Sequence, residues 1–511
     1  MFNHNRREFL ADVGRGMLVS GLGTGVALDL GLATASAAEP AASRLTFDKL
    51  EPLVSLMQET PLNKLLPVLV AKLNDGVALK TLVAAGALAN ARTFGGQDYT
   101  GYHAFMALPP ALEIANEMPD DRSKALPVLK VLYRNSARIQ QHGGTKNEVL
   151  HPIATEVTAE LTGETLQAAI RKADMTAAEA QFAKLKNEKD AFNALQWAIQ
   201  DEVDVHRVVL SWRAWTMLDI AGHEYAHTLL RQSVRFCVDN EKQGLDRKRP
   251  ESGIRTLLPK LFDEQKLAGK LLGTKKGDAV WMLNLSDVVF GKSREKATEA
   301  VAMALAEGYD PEAVGEAISL AAAMLVLRDP GRTKDEEGKP KGSVHGASVG
   351  VHASDSSNAW RNIARVSNAR NTFASLIVGA YHTAGQSAGM NLDALPQAKI
   401  DSVDLKDPAA MLKAIDSAVL AKDQLLARTL AQSYGDAGYK PQPLFALLRK
   451  YAVSEDGALH AEKYYRTVSE EFPTTNALNQ WRHLQALARV TASEYGFTAP
   501  GYAEATRLLK V

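Results

Sequence analysis

The chain has 511 residues, with Lys plus Arg and Asp plus Glu both at 59, so its formal net charge is zero. No global field draws it to nucleic acid or to an acidic membrane, and no nucleic-acid partner is expected. One cysteine, Cys237, excludes an internal disulfide framework; set among Val234, Phe236 and Val238, it reads as an inert core thiol.

In chain order, Asn5-Arg6-Arg7-Glu8-Phe9-Leu10 precedes a mild apolar run from Gly16 to Leu28 and a small-residue stop at Ala35-Ser36-Ala37. This is the pattern of a twin-arginine signal over residues 1–37. It predicts the twin-arginine export machinery as a partner and a periplasmic or exported destination, reached by a chain already folded around any cofactor. Beyond it no stretch of about eighteen uncharged apolar residues follows, so no transmembrane anchor is expected after signal cleavage.

From there on, apolar residues recur at three-and-four spacing among Ala, Leu, Glu, Lys and Gln, which predicts an all-α multi-helix array or bundle with no substantial sheet. Thr46, Asp310-Pro311-Glu312 and Asp407-Pro408 read as helix starts, and Gly76 and Gly308 as glycines just past helix ends. The Gly- and Pro-bearing polar stretch from Asp329 to Gly342 reads as a surface loop. The expected organisation is a helical region over 45–328, a flexible Gly/Pro/charged loop over 329–350, and a second helical region over 351–511 packed on the first.

Two pseudo-repeats run through these helices. Gly101-Tyr102-His103-Ala104 continues to Ile114-Ala115, and Gly350-Val351-His352-Ala353 continues to Ile363-Ala364. Each follows an alanine-rich lead-in, ending at Arg92 in one case and Arg328 in the other. A looser third copy runs from His206 through Trp215 to Ile220-Ala221. Duplicated helices packed face to face would carry His103 and His352 to a common interior.

Two constellations could carry chemistry. His223-Glu224-Tyr225-Ala226-His227 is a literal H-E-x-x-H: on a helix, His223 and His227 would share a face and grip zinc, with Glu224 as catalytic base. No third ligand follows it. The second is distributed: His103, His206 and His352, with His345 and His382, lie in apolar segments, and neutral imidazoles on facing helices bind iron, copper or zinc. Asp355, Asn358 and Trp360 would then contact a small-molecule ligand, or Asp355 to Asn358 would cap the helix of Trp360. There is no nucleotide-cofactor motif and no Gly-x-Ser-x-Gly elbow.

The segments Gly101-Tyr102-His103-Ala104, His206 through Ser211-Trp212-Arg213 to Gly222-His223, and Val351-His352-Ala353 through Asn358-Ala359-Trp360-Arg361 resemble a family of exported bacterial all-helical proteins of uncharacterised function. More distantly they are similar to questin oxidase-like proteins. In that pattern the helix after the second histidine reads Gly-Trp-x-His-Ala-Glu-Pro; here a tyrosine, Tyr225, replaces the family histidine. The resemblance implies an oxidoreductase inserting oxygen into aromatic or polycyclic carbonyl compounds. An H-E-x-x-H zinc hydrolase is the alternative enzyme, and a non-catalytic helical binding or scaffold protein the alternative class.

Overall fold

The computed structural model describes residues 44–153, 162–336, 340–344, 348–391, 393, 395–401 and 403–511. The predicted export signal and His345 lie outside the described residues. Among those described, regular structure is helical throughout, and strand-like pairing is limited to isolated bridges such as Lys275–Tyr309 and Glu455–Thr498. The expected all-α class is what the chain adopts.

Local chemistry explains most helix ends. Asp310 accepts a hydrogen bond from the Glu312 N–H and Asp407 from the Ala409 N–H, each with proline in the first turn. Gly76 and Gly308 take φ of +88° and +83° just past their helices, where a Cβ would be strained. Thr46 is not a cap. The chain enters a short 3-10 turn at Asp48–Leu50 with Phe47 at the cap position, and Glu51 fixes the start by accepting from the Phe47 N–H at 3.1 Å.

Eleven helices position the interior. They are α1 (Leu79–Phe94), α2 (Tyr99–Glu117), α3 (Ala125–His142), α4 (Glu188–Ile199), α5 (Val205–Thr216) and α6 (Ala226–Asp246), followed by α7 (Pro311–Arg328), α8 (Val349–Val366), α9 (Ala369–Ala384), α10 (Ala461–Glu471) and α11 (Trp481–Glu494). The two pseudo-repeats are the hairpins α1–α2 and α7–α8. Both glycines of the shared Gly-x-His-Ala opening exist for close approach. A Cβ on Gly101 would sit 2.5 Å from the Phe94 ring at the end of α1, and one on Gly350 would sit 2.6 Å from the Val326 backbone near the end of α7. Each glycine therefore lets the histidine-bearing helix fold back tightly on its predecessor.

Phe47–Val511 form one unit, so the two predicted helical regions share a core. The connection after α7 is anchored at its root rather than free: Asp329 is buried, accepts from the Gly331 N–H at 2.8 Å, and its carbonyl receives Arg489 at 2.7 Å. Residues Thr333–Glu336 beyond it are exposed. A second tie is the buried pair Lys130–Glu462, 2.5 Å apart between α3 and α10, with Lys130 also donating to the Ala452 and Glu455 carbonyls. Ser348 caps α8, accepting from the Val351 N–H, so Asp355 to Asn358 lie in its buried second and third turns and cap nothing. The capping alternative for those residues is thereby corrected: the helix starts two turns earlier than the position of Trp360 suggests.

Candidate functional site

Helices α2, α5, α8 and α10 pack as a closed ring, α2 on α5, α5 on α8, α8 on α10 and α10 on α2. All four begin at one place. His103 is in the first turns of α2, His206 is the second residue of α5, His352 is the fourth of α8, and His460 is the N-cap of α10. Their imidazoles meet: ring centroids lie 4.8 Å apart for His103–His206, 5.8 Å for His206–His352, 5.2 Å for His352–His460 and 5.1 Å for His103–His460. The structure thus gathers three of the predicted metal ligands and adds a fourth histidine.

The rings are held by their outer nitrogens. His103 Nδ1 contacts the Tyr99 carbonyl at 2.7 Å, His460 Nδ1 the Ala458 carbonyl at 3.1 Å, and His206 Nδ1 faces the Asp204 carboxylate at 3.5 Å. An N–H directed at an oxygen fixes the tautomer and leaves Nε2 as a lone-pair donor. His103 Nε2 and His206 Nε2 have no hydrogen-bond partner among the described residues, and His352 Nε2 stands 3.1 Å from His460 Nε2.

The surroundings of His103 and His352 disfavour their charged forms. Burial holds His103 and His352 well below the ordinary histidine range, reinforced for both by Lys463 and His206. Four helix N-termini converging on the cluster add a positive potential that also disfavours imidazolium. Burial would raise Asp204, but His206 and the Arg207 N–H outweigh it, so its carboxylate stays ionised.

Tyr99, at 36% exposure the outermost group, packs on His103 with centroids 4.4 Å apart. Tyr102 lies 5.2 Å from His206, and Phe236 of α6 stands edge-on to Tyr102. The site is therefore roofed by aromatic rings. One turn further along the bundle come Lys463, Asp355 and Thr467, whose hydroxyl donates to Asp355 at 2.8 Å, and then Arg213. Burial lowers Lys463 to about 8, with Asp355 and Glu462 opposing it, and burial raises Asp355.

The other predicted residues lie differently. Trp360 donates to His382 Nδ1 at 3.3 Å, and burial, against the pull of Asp204, lowers His382 to about 4. Asn358 donates to Glu471 at 2.9 Å. Of the three predicted ligand contacts, Asp355 is the one beside the cluster. The H-E-x-x-H segment is not one helix: Gly222, at φ +120°, leads into a 3-10 turn over His223–Tyr225, and α6 begins only at Ala226. His223 is half exposed and spends both nitrogens on carboxylates, Glu188 at 2.9 Å and Asp219 at 3.3 Å. His227 is stacked near Phe182, where burial lowers it to about 4, and Glu224 is exposed. Cys237 is buried, and burial raises its thiol to about 11, the setting of an unreactive sulfur.

His460, Lys463 and Arg213 carry no sequence signature. The one local sign is backbone: Gly457, Ala458 and Leu459, just before His460, take φ of +48°, +50° and +65°. Two consecutive non-glycine residues in the left-handed region are strained, and such strain persists where surrounding structure over-determines a position. No protein-family model, curated protein or solved structure matches the chain.

Proposed function

We propose that the chain is an oxidoreductase whose centre is the four-histidine ring, holding iron or copper through His103, His206, His352 and His460. The observation that carries this reading is the common orientation of the rings. His103 and His460 commit Nδ1 to a carbonyl oxygen and His206 turns Nδ1 toward the Asp204 carboxylate, while among the described residues the Nε2 atoms of His103 and His206 have no hydrogen-bond partner and those of His352 and His460 face each other. Ligating histidines are oriented in this way by outer hydrogen bonds. Imidazoles bound through Nε2 at about 2.1 Å in a tetrahedral set have nitrogens about 3.4 Å apart. The 3.1 Å His352–His460 separation is a few tenths of an ångström shorter, a hydrogen-bond distance from which a small opening would admit an ion. Among the described residues no group of three or more His, Cys, Asp or Glu stands in an arrangement that could hold a metal ion as the side chains lie, so binding would require them to move.

The donor set favours oxidation over hydrolysis. Four imidazoles fill a tetrahedral zinc ion and leave no position for hydrolytic water, whereas iron and copper accept further ligands beyond four nitrogens. The ion would supply one-electron chemistry. The protein's part is to hold it, to fix the His206 ring through Asp204, and to keep bulk water out with Tyr99, Tyr102 and Phe236. The questin oxidase-like resemblance points to the oxidative class, and a twin-arginine signal over residues 1–37 would export the chain already folded around its metal. Elemental analysis of the full chain, purified from its native compartment, tests the proposal. Iron or copper near one equivalent, lost in His352→Ala and kept in His223→Ala, is expected. A single zinc lost in His223→Ala would overturn it in favour of the hydrolase.

A further inference from the structure

Lys463, one turn past His460, and Arg213, two turns past His206, are buried cations with no hydrogen-bonded acceptor among the described residues. Arg213 and Lys463 are each only 3% exposed. The nearest carboxylate to Arg213 is Glu470 at 3.9 Å, beyond hydrogen-bond distance, and Glu470 is engaged by Arg466 at 2.7 Å and Asn362 at 3.2 Å. Among the described residues Arg213 Nε has no acceptor. Burial lowers Lys463, with Asp355 and Glu462 opposing and Arg213 reinforcing the shift, while Asp355 accepts a hydrogen bond from Thr467. Charged groups withdrawn from water are normally hydrogen-bonded, because leaving a guanidinium or ammonium without an acceptor forfeits more than an ordinary hydrogen bond contributes.

Their placement follows from helix geometry. Arg213 is seven residues beyond His206 on α5, and Lys463 three beyond His460 on α10, so each shares its helix face with a cluster histidine. Lys463 is close enough to both His103 and His352 to depress them, and close enough to Arg213 to feel its charge. The positive ends of four helices point at the same interior.

We propose that Lys463 and Arg213 bind the oxyanion of a small anionic substrate, a carboxylate or a phosphate ester, and so present the rest of that molecule to the four-histidine ring. The guanidinium supplies a planar fork that suits a carboxylate or phosphate face, and the ammonium a compact charge on the other side. Asp355, held back by Thr467, limits the site to one net negative group. The inference rests on the histidine ring being the functional centre, and metal content, measured alongside, separates the two.

The test is calorimetric titration of the full chain with sodium acetate and with inorganic phosphate, choline chloride serving as the cation control. Wild type is expected to bind at least one of the two anions and not choline. Lys463→Met and Arg213→Gln should weaken binding at least about tenfold, the scale of one charged hydrogen bond, with metal content unchanged. Lys463→Arg and Arg213→Lys keep the charge and the fold; Arg213→Lys, which loses the planar fork, should weaken binding more than Lys463→Arg, and equal binding by wild type and both would overturn the proposal if the neutral variants do not fold. Binding of neither anion by wild type, or equal binding by wild type and the neutral variants, overturns the proposal. Anion binding without any metal leaves it standing and removes the metal reading alone.

Discussion

His352 Nε2 lies 3.1 Å from His460 Nε2, joining two helices whose contact residues are 108 positions apart in sequence. Because His460 Nδ1 faces the Ala458 carbonyl, its proton belongs there and its Nε2 offers a lone pair. In the metal-free protein His352 must then donate from Nε2, which leaves its Nδ1 without a partner, as found. A cation between the two nitrogens would use both Nε2 lone pairs and move the His352 proton to Nδ1. His460→Ala is therefore expected to lower bound metal as far as His352→Ala does, with Glu224→Gln and His227→Ala near wild type. Metal retained in His460→Ala at the wild-type level would show that the fourth histidine is only a neighbour.

The paired glycines predict a graded cost. A methyl at Gly350 meets the Val326 Cα and N at 2.6 and 2.7 Å, backbone atoms that cannot turn aside, whereas a methyl at Gly101 meets the Phe94 ring. Overpacking of this kind costs about 1–3 kcal/mol. Gly350→Ala should fall at or above the upper end and Gly101→Ala lower, read as denaturation midpoints at unchanged slope. Phe94→Leu, which removes the ring edge, should recover part of the Gly101→Ala loss and none of the Gly350→Ala loss.

The helical class and the convergence of His103, His206 and His352 were legible because both rest on local pattern. Three-and-four periodicity sets the helices, and the Gly-x-His-Ala opening marks where a helix folds back on its predecessor. His460 was not legible. It precedes α10 after three left-handed residues, Gly457, Ala458 and Leu459, a backbone path that only tertiary packing selects. H-E-x-x-H misled for the complementary reason: five residues specify a zinc grip only on a continuous helix, and Gly222 breaks the chain's course just before His223. Arg213 and Lys463 stand out only once the carboxylates that would pair with them are seen to be engaged elsewhere.

The proposed twin-arginine signal gives a prediction independent of the fold. Arg6 and Arg7 directly precede Glu8-Phe9-Leu10, and the transport route reads the paired guanidinium groups rather than charge alone. Replacing both with lysine should leave unprocessed chain in the cytoplasm, seen by fractionation and by the mass of the retained species. Undiminished periplasmic accumulation of the double variant would remove the twin-arginine reading.

Acid sensitivity should centre on Glu471. It is buried, which alone would raise its pKa, but Arg361, His483 and hydrogen bonds from Asn358 and Ser319 outweigh burial and hold it at about 2 against an ordinary 4.5. A carboxyl depressed in the folded state stabilises the fold fully above its unfolded value, and that contribution is lost as pH falls from 4.5 towards 2. The shift corresponds to about 3 kcal/mol at neutral pH. Burial lowers His483 to about 4, opposed by Glu471, so its neutral form stabilises the fold above 6.5 and that share is lost between 6.5 and about 4. Wild-type stability is therefore expected to fall in two overlapping stages on acidification. Glu471→Gln should be destabilised near pH 7, partly because Arg361 loses its buried partner, and the gap to wild type should close as pH approaches 2. His483→Asn should flatten only the upper stage. A Glu471→Gln gap that stays constant from pH 7 to pH 2, measured by denaturant titration at each pH, would show that Glu471 is not held ionised by the Arg361 pair.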